Sequence, residues 1–323
     1  MFLRKKISYL IVAYTLVALI SCEQNKPTAA NEKIVDSSSS TNALNFMIIG
    51  DWGRQGEYHQ KDVANQMDNY VKNNNTSFVI ATGDNFYDNG VESIKDTLWA
   101  LSYEGIYNGD NLKDKKWYVV LGNHDHRGNP TAEIAYSQTS NRWTMPDYYF
   151  IRKEKVSETD SALFIYIDTT PLVKEYYEEP EKYAYAVKQD TAKQMRWIDS
   201  VLAASKDRWK FVVGHHPVYS GSPKHGNTPE LIATLKPLME KYKVDAYFCG
   251  HDHDLQHLKE ANGTVDYFVS GAGSETRPTG NLPSTKFAKD ISGFAGVSLT
   301  KDTLKLAFID YQGNVLCQTV RSK

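Results

Sequence analysis

Three short apolar runs in the first part of the chain are each followed closely by a glycine. They cover residues 44–49, 78–81 and 117–121, and runs of this length between turn residues are typical of strands buried on both faces. Between the first two runs, residues 58–73 place apolar side chains at helical spacing, and residues 93–106 carry a similar pattern. This alternation of strand and helix predicts a parallel sheet with helices packed against it.

The second half of the chain repeats the alternation. Three apolar runs predict strands at residues 162–167, 209–213 and 244–249, and two amphipathic stretches predict helices at residues 191–204 and 228–242. Residues 172–189 are polar and predict an irregular excursion. From residue 265 onward, short apolar runs alternate with turn residues, which predicts antiparallel strands that join a second sheet. No second linker interrupts the chain, so we expect one domain over residues 44–323.

The N-terminus has the pattern of a targeting segment. A basic stretch, Arg4-Lys5-Lys6, precedes an apolar stretch at residues 7–20 that is too short for a good membrane span. The apolar stretch ends at Leu19-Ile20-Ser21-Cys22, which resembles a bacterial lipobox. The resemblance implies a signal peptide over residues 1–21 and a lipid on Cys22. Residues 22–43 are rich in Ser and Asn and predict a flexible tether. We therefore expect a lipoprotein of the bacterial cell envelope, periplasmic or at the surface, attached to the membrane by its lipid.

Composition and charge narrow the function less than the motifs do. Hydrophobic residues make up 41% of the 323 residues, which suffices for a full core, and the net charge of −2 gives no sign of a nucleic-acid partner. Three cysteines cannot build a disulfide framework. Cys249 and Cys317 both lie in apolar runs, where buried thiols or a bridge between the two are open alternatives.

Five of the apolar runs are followed by side chains that can bind metal ions. These residues are Asp51, Asp84, Asn123, His215, and the pair His251 and His253. Taken singly, each has an ordinary structural explanation as a turn residue or a hydrogen-bonded histidine. Because the carboxyl ends of parallel strands meet at one edge of a sheet, we expect all of them to lie together there. Five such coincidences predict a metal site.

Tyr87, three residues after Asp84, extends this site. Positions i and i+3 share a face if the chain turns into a helix, although a buried tyrosine in a turn is the simpler explanation of this stretch alone. The free pKa of a tyrosine is about 10, so a phenolate ligand near neutral pH requires a highly charged ion such as Fe³⁺.

The motifs together resemble those of the calcineurin-like metallophosphoesterases. They are Gly50-Asp51-Trp52-Gly53, Gly83-Asp84-Asn85-Phe86-Tyr87, Gly122-Asn123-His124-Asp125, Gly214-His215-His216-Pro217 and Gly250-His251-Asp252-His253. Tyr87 narrows the resemblance to the purple acid phosphatases. The stretch from Gly122 to Arg142-Trp143, and the later Gly271-Ala272-Gly273, are similar to the small tartrate-resistant acid phosphatases in particular. The resemblance implies an α/β fold, a four-layer α/β/β/α sandwich with two mixed sheets.

The resemblance also implies a dinuclear metal site. Fe³⁺ would be held by Asp51, Asp84, Tyr87 and His253. A second, divalent ion (Fe²⁺, Zn²⁺ or Mn²⁺) would be held by Asp84, Asn123, His215 and His251. Hard oxygen donors suit Fe³⁺, and imidazole and amide donors suit a borderline divalent ion.

Several further residues receive expected roles from the same resemblance. His124 and His225 match outer-sphere histidines that bind phosphate or protonate the leaving group. His126 and His216 are expected behind the ligands or at the surface, and Asp252 is expected to orient backbone or a ligand imidazole. Asp88 and Asn89 follow Tyr87 where the animal members carry a less acidic pair, and the extra carboxylate could weaken the binding of anionic substrates or shift the pH optimum.

The expected function is that of a metal-dependent acid phosphatase, a phosphoric monoester hydrolase. Two metal ions that share Asp84 can orient a phosphate ester and lower the pKa of a bound water. One alternative is a phosphodiesterase or nucleotide hydrolase with the same metals, and another is a non-catalytic surface binding module. We expect a monomer whose partners are small phosphate esters, with nucleotides and phosphoproteins as further candidates, and no nucleic acid.

Overall fold

The structure is a computed structural model that describes residues 43–323. The described strands are β1 (Leu44–Ile49), β2 (Phe78–Ala81), β3 (Lys116–Val119), β4 (Trp143–Thr144), β5 (Phe150–Lys155), β6 (Ser161–Tyr166), β7 (Trp209–Val213), β8 (Ala246–Cys249), β9 (Leu255–Leu258), β10 (Asp266–Ser270), β11 (Thr285–Lys289), β12 (Gly293–Leu299), β13 (Thr303–Asp310) and β14 (Val315–Ser322). The described α-helices are α1 (Gln60–Asn74), α2 (Pro130–Tyr136), α3 (Ala184–Val187), α4 (Thr191–Ala204) and α5 (Pro229–Lys241). The expected signal peptide, tether and lipid on Cys22 lie outside the described residues. Between residues 43 and 323, no helix has the length and apolar character needed to cross a membrane.

The strands form two mixed sheets of seven strands each. The first sheet has the order β14-β13-β12-β1-β2-β3-β4, and the second has the order β11-β9-β10-β8-β7-β6-β5. In the first sheet, β1 to β4 are parallel and β12 to β14 are antiparallel. In the second sheet, β6, β7, β8 and β10 are parallel, and the edges are antiparallel. Each sheet therefore has a parallel centre whose strands end at one edge.

The two faces of each sheet pack against different layers. Phe46 of β1 lies in the cluster between the sheets, where its ring centroid is 6.3 Å from that of Phe248 in β8. Met47, the next residue, points to the opposite face because side chains alternate along a strand, and it belongs to the cluster that contains Met67 of α1. Leu235 of α5 belongs to the cluster on the outer face of the second sheet. The order is helix, sheet, sheet, helix, which confirms the predicted four-layer α/β/β/α sandwich with two mixed sheets.

The expectation for the C-terminal strands is wrong in part. Of the tail strands, β10 joins the second sheet beside β8, but β12, β13 and β14 join the first. β12 pairs antiparallel with β1 and places Val297 opposite Phe46. This pairing covers the edge of β1 that no parallel strand occupies, and an uncovered edge would expose unpaired backbone groups.

The helix predicted over residues 93–106 is also only partly present. The structure has a single π-helical segment, Trp99–Glu104. The Asp96 side chain accepts from the backbone N–H groups of Leu98 (2.9 Å) and Glu92 (2.9 Å). Such local side-chain bonds offer the backbone an alternative to the helix.

Cys249 carries a free thiol buried in β8. The bridge to Cys317 that the sequence left open is therefore not formed.

Candidate metal centre

The residues after β1, β2 and β8 adopt a backbone conformation that is uncommon for non-glycine residues. Asp51, Asp84 and His251 have φ angles of 59°, 49° and 70°. A left-handed non-glycine residue costs on the order of 1–3 kcal/mol, and such residues concentrate at functional sites. The sharp turn at each strand end directs the three side chains back toward one point between the sheets.

The glycines beside these residues make room for the carboxylates. A Cβ atom on Gly122 would lie 2.1 Å from Asp84 Oδ1, and one on Gly250 would lie 2.3 Å from Asp51 Oδ2. Both separations are far below van der Waals contact, so a side chain at either position would displace a carboxylate.

One half of the centre is rich in oxygen atoms. Tyr87 Oη lies 3.0 Å from each of three atoms: Asp51 Oδ1, Asp84 Oδ2 and His253 Nε2. His253 Nε2 lies 3.6 Å from Asp51 Oδ1. All four side chains are buried. They are the four residues expected to hold Fe³⁺.

The other half contains two imidazoles and an amide. Asn123 Oδ1 lies 3.1 Å from both His215 Nε2 and His251 Nδ1, and these two nitrogens lie 3.2 Å apart. The second carboxylate oxygen of Asp84, Oδ1, lies 3.4 Å from His215 Nε2. Asp84 therefore faces both halves, with one oxygen toward each.

Hydrogen bonds with backbone groups around the centre orient these side chains. His215 Nδ1 lies 2.9 Å from the carbonyl oxygen of Thr82. This oxygen can only accept, so Nδ1 carries a proton and Nε2 is directed into the centre. Asp51 Oδ2 accepts from the backbone N–H of His251 (2.9 Å), and Asp84 Oδ1 accepts from that of His124 (2.8 Å). Outer contacts of this kind hold ligand atoms in place before a metal ion arrives.

The electrostatics of the imidazoles favour cation binding. Burial lowers the pKa of His215, but the carboxylates of Asp84 and Asp51 outweigh it and raise this pKa to about 9. A positive charge at His215 Nε2, from a proton or a metal ion, is therefore stabilised. Burial, and then the charges of neighbouring histidines, lower the pKa of His251 well below its usual value. Burial, and then the charge of Arg277, lower the pKa of His253 well below its usual value. Both rings are neutral near pH 7 and keep a lone pair for a metal ion.

The pKa values of the acidic groups in the centre shift in opposite directions. Burial raises the pKa of Asp84, but the charges of His215 and His124 outweigh it and hold this pKa well below its ordinary value. Burial raises the pKa of Asp51 well above its ordinary value. Burial, followed by the charges of Asp51 and Asp84, also raises the pKa of Tyr87. A strongly charged cation beside Asp51 and Tyr87 would oppose these two shifts, because it favours the ionised form of both groups.

The donor set fits two cations. The phenol of Tyr87 has one proton, yet its oxygen meets carboxylates of both Asp51 and Asp84 at 3.0 Å, so one proton cannot satisfy both acceptors. Asn123 Oδ1 has only lone pairs and faces the two imidazole nitrogens of the other half. A hard ion in the first half and a borderline ion in the second would satisfy these groups.

A cavity of about 290 Å³ opens in front of the donors. His124 and His225 line it, with side chains that are 17% and 29% exposed. His124 Nε2 lies 3.9 Å from Asp84 Oδ2, and the ring of His225 stacks on His251 with centroids 4.1 Å apart. Three basic side chains of the lining, Arg127, Lys224 and Arg277, and the acidic Glu175 surround the opening.

Each of these two histidines has a fixed partner at Nδ1. His124 Nδ1 lies 2.6 Å from the carbonyl oxygen of Asp88, and His225 Nδ1 lies 3.1 Å from Asp252 Oδ1. Both contacts direct Nε2 away from the partner. Asp252 thus orients the imidazole of His225, and not the imidazole of a predicted metal ligand as the sequence led us to expect.

The two histidines expected behind the ligands or at the surface, His126 and His216, are both buried. His216 lies close to His215 and His251, and the three could be grouped as a metal site. However, its Nδ1 lies 2.8 Å from Thr169 Oγ1 and its Nε2 lies 2.6 Å from Tyr176 Oη. Both ring nitrogens are engaged, so His216 supports the centre from behind. His126 Nε2 lies 2.8 Å from Asp168 Oδ2, with both side chains buried.

The structure adds two residues that the sequence did not indicate, Arg54 and Glu275. Asp88 is paired with Arg54, whose Nη1 lies 3.2 Å from Asp88 Oδ1, so its charge is partly compensated. Arg54 Nη2 lies 2.7 Å from Glu275 Oε2, across 221 positions of sequence. Arg54 directly follows the Gly50-Asp51-Trp52-Gly53 motif, and Glu275 lies two residues after Gly271-Ala272-Gly273. Position beside a motif is a weak signal, and neither residue type by itself indicates a role in the centre.

Comparisons with known proteins agree with this geometry. Residues 44–255 match the calcineurin-like phosphoesterase family, and the chain belongs to it. Membership makes the protein a phosphoesterase that acts at a metal site, as the sequence predicted.

The relatives within this family are purple acid phosphatases. Purple acid phosphatase 3 of Arabidopsis thaliana is 34% identical over 97% of this chain and 86% of its own length. Tartrate-resistant acid phosphatase type 5 of Sus scrofa is 32% identical over 95% of each chain. The resemblance stated from the motifs is thereby confirmed.

Solved structures show the same fold. GAP50, the anchor in the inner membrane complex of Plasmodium, superposes with a TM-score of 0.76 at 26% identity, over 87% of this chain and 89% of its own. The purple acid phosphatase PPD1 from yellow lupin seeds has a TM-score of 0.64 at 16% identity, over 87% of this chain and 54% of its own, which speaks for the fold alone.

Proposed function

We propose that the protein is an acid phosphatase that hydrolyses phosphate monoesters at a centre of Fe³⁺ and a divalent ion, Fe²⁺, Zn²⁺ or Mn²⁺. The observation that carries the proposal is the position of Asp84. One of its oxygens lies 3.0 Å from Tyr87 Oη and the other lies 3.4 Å from His215 Nε2, so a single carboxylate can bridge two donor sets of different chemistry.

The proposed ligands follow from the two halves of the centre. Asp51, Asp84, Tyr87 and His253 would hold Fe³⁺, and Asp84, Asn123, His215 and His251 would hold the divalent ion. Two such ions, when bound, polarise the phosphate ester and lower the pKa of a water molecule so that it can attack at mild pH. The protein's own contribution is to fix the ligand oxygens and nitrogens from behind through the backbone contacts described above.

We assign phosphate binding and protonation of the leaving group to His124 and His225. Both line the cavity in front of the donors, and both have Nδ1 engaged so that Nε2 is free to face a substrate. A protonated Nε2 would donate to a phosphate oxygen or to the departing alkoxide oxygen. The basic side chains of Arg127, Lys224 and Arg277 supply a field that attracts an anionic ester.

The experiment compares the purified protein with His215→Ala on 4-nitrophenyl phosphate. Loss of an outer contact costs about 10–100-fold in metal affinity or activity, so loss of a direct ligand is expected to cost at least that much. His59→Ala is the matched control, because His59 is half-exposed and bonded to Asp62 on helix α1. A folded His215→Ala protein with wild-type turnover would overturn the assignment.

The substrate class is tested with the same protein. A faster reaction with 4-nitrophenyl phosphate than with bis(4-nitrophenyl) phosphate supports a monoesterase. The reverse order would favour the alternative of a phosphodiesterase.

A non-catalytic binding module is the other alternative, since a fold hosts unrelated functions and GAP50 is named as an anchor. Against it stands the pair His124 and His225, which a module that holds metals for stability alone does not need. A phosphate-releasing activity that copurifies with the protein and is lost in His215→Ala would exclude a binding module.

We also propose, from the N-terminal sequence, that a lipid on Cys22 holds the protein at a membrane of the cell envelope. Mass spectrometry of the mature N-terminal peptide tests this. An unmodified Cys22, or cleavage elsewhere, would contradict it.

A further inference from the structure

The guanidinium of Arg54 covers the ring of Tyr87. Its Cζ lies 3.8 Å from the ring centroid, and only 14% of the side chain is exposed. Asp88 and Glu275 hold its two terminal nitrogens at 3.2 Å and 2.7 Å. The planar group is thereby fixed on the face of the phenol, where a cation and the electrons of an aromatic ring attract each other.

Glu275 makes a second contact with the same half of the centre. Its Oε2 lies 3.6 Å from His253 Nδ1, the ring nitrogen directed away from the other predicted ligands. Among the described residues, His253 Nδ1 has no hydrogen-bond partner within normal distance. Arg277 Nη2 also lies 3.6 Å from this oxygen. The pair Arg54–Glu275 therefore touches two of the four residues of the oxygen-rich half, one with a cation and one with a carboxylate.

A charged group on the face of Tyr87, or beside Nδ1 of His253, changes how strongly that ligand donates electrons to a metal ion. A carboxylate behind a ligating imidazole fixes the ring and makes it a stronger donor. A cation on the face of a phenolate stabilises its electrons and makes it a weaker donor to a metal ion. The charges of Arg54 and Glu275 are opposite, and each is directed at a different ligand.

We propose that Arg54, held by Glu275, is a positioning residue that sets how strongly Tyr87 donates electrons to the metal ion of the oxygen-rich half. The inference rests on the proposed function, because it requires Tyr87 to bind Fe³⁺. It goes beyond that function in assigning control of the metal's electronic state to a residue that binds neither metal nor substrate.

The chain contains a matched arginine that serves as control. Arg152 lies with Cζ 3.6 Å from the ring centroid of Tyr118, is paired with Glu154, and is 19% exposed. It also lies 4.3 Å from the ring of Phe78, at the first residue of β2, whereas Asp84 follows the other end of that strand. Arg152 is thus a similarly buried arginine that covers a tyrosine ring and pairs with a carboxylate, at the opposite end of the sheet from the metal centre.

The first readout is the visible absorption of the iron-loaded full-length protein and of Arg54→Met, Arg54→Lys and Arg152→Met. A phenolate on Fe³⁺ absorbs visible light by moving an electron from the ring to the metal. Removal of the cation lowers the energy of this transfer, so we expect the band of Arg54→Met at longer wavelength. We expect a smaller shift for Arg54→Lys, which keeps the charge without the planar fork, and none for Arg152→Met.

The second readout is the reduction potential of the iron. A nearby cation favours Fe²⁺ over Fe³⁺, so the potential is expected to fall in Arg54→Met and to remain at the wild-type value in Arg152→Met. Iron content, measured in parallel, separates a change in electron donation from loss of the metal.

The outcomes are distinguishable from failure of the proposed function. A wild-type protein without a band that Tyr87→Phe abolishes would overturn both the phenolate ligand and this inference. A wild-type band that Arg54→Met leaves in place, at unchanged potential and full iron content, would overturn the inference alone. Equal shifts in Arg54→Met and Arg152→Met would also overturn it, since they would reflect a general loss of packing.

Discussion

Asp252 Oδ1 lies 3.1 Å from His225 Nδ1, and the carboxylate is only 1% exposed although it sits between His251 and His253 in the chain. The side chains of His251 and His253 lie against Asn123 and Tyr87 in the metal centre, whereas that of Asp252 lies against His225. The contact fixes the ring of His225 over His251.

Replacement of Asp252 by Asn should lower turnover by about tenfold or more, since Asp252 orients a proposed general acid whose contribution is typically about 10²–10⁴-fold. The near-isosteric amide keeps the shape of the site but not the negative charge beside His225. Steady-state kinetics on a monoester measure the effect, and metal analysis should show a normal metal content. Normal turnover in Asp252→Asn would mean that His225 needs no carboxylate for its role.

The bridging role of Asp84 predicts a difference between two ligand variants. Asp84→Ala should lose metal from both halves, because each half uses one oxygen of this carboxylate. Asn123→Ala should lose mainly the divalent ion, because the side-chain oxygen of Asn123 lies against His215 and His251 of the second half. Elemental analysis after dialysis gives the stoichiometry of each metal. Equal losses in the two variants would argue against a bridge.

His216 provides a test of which histidines bind metal. It lies near His215 and His251, but Thr169 and Tyr176 occupy both of its nitrogens. His216→Asn should therefore retain two metal ions per chain while its Tm falls, since a buried hydrogen-bonded group is disturbed. A metal content reduced to one ion per chain would place His216 among the ligands.

Glu133 predicts a pH-dependent stability. This buried carboxyl accepts from Asn85 Nδ2 at 3.0 Å, and burial, followed by the charge of Asp125, raises its pKa well above the ordinary value. An unfolded glutamate titrates near about 4.3, so folding must take up a proton at higher pH. The contribution of this carboxyl to the free energy of unfolding is therefore fully present below the pKa of the unfolded glutamate. It is lost as the pH rises from there toward the pKa of Glu133 in the folded protein.

Glu133→Gln removes this proton uptake and should raise the Tm, with a gain that grows as the pH increases from about 5. In a chain of this size, each kcal/mol corresponds to roughly 2–4 °C. Differential scanning calorimetry across pH measures the gain, and Glu181→Gln at an exposed position is the control. A Tm difference that does not depend on pH would show that Glu133 is ionised in the folded protein.

The sequence alone determined the parts that depend on local chemistry. Runs such as residues 191–204 and 209–213 coincide with α4 and β7, because length and periodicity of apolar positions report burial. The residues of the candidate centre were also apparent, since each follows a predicted strand and parallel strands end at one edge. Strands with alternating or short patterns were missed, such as β5 (Phe150–Lys155), in which no residue is fully buried.

Tertiary structure decided how these parts combine. The candidate ligands come from two sheets and not one, because the tail strands cover the free edge of β1 and leave β7 and β8 to a second sheet. The sequence indicates that a strand has an unpaired edge but not which distant strand will cover it, since the free energy of pairing resides in contacts between chain segments. For the same reason, the sequence does not indicate that Arg54 and Glu275 belong to the metal centre. Their 2.7 Å contact joins residues 221 positions apart, and only the packed sandwich brings that pair onto Tyr87.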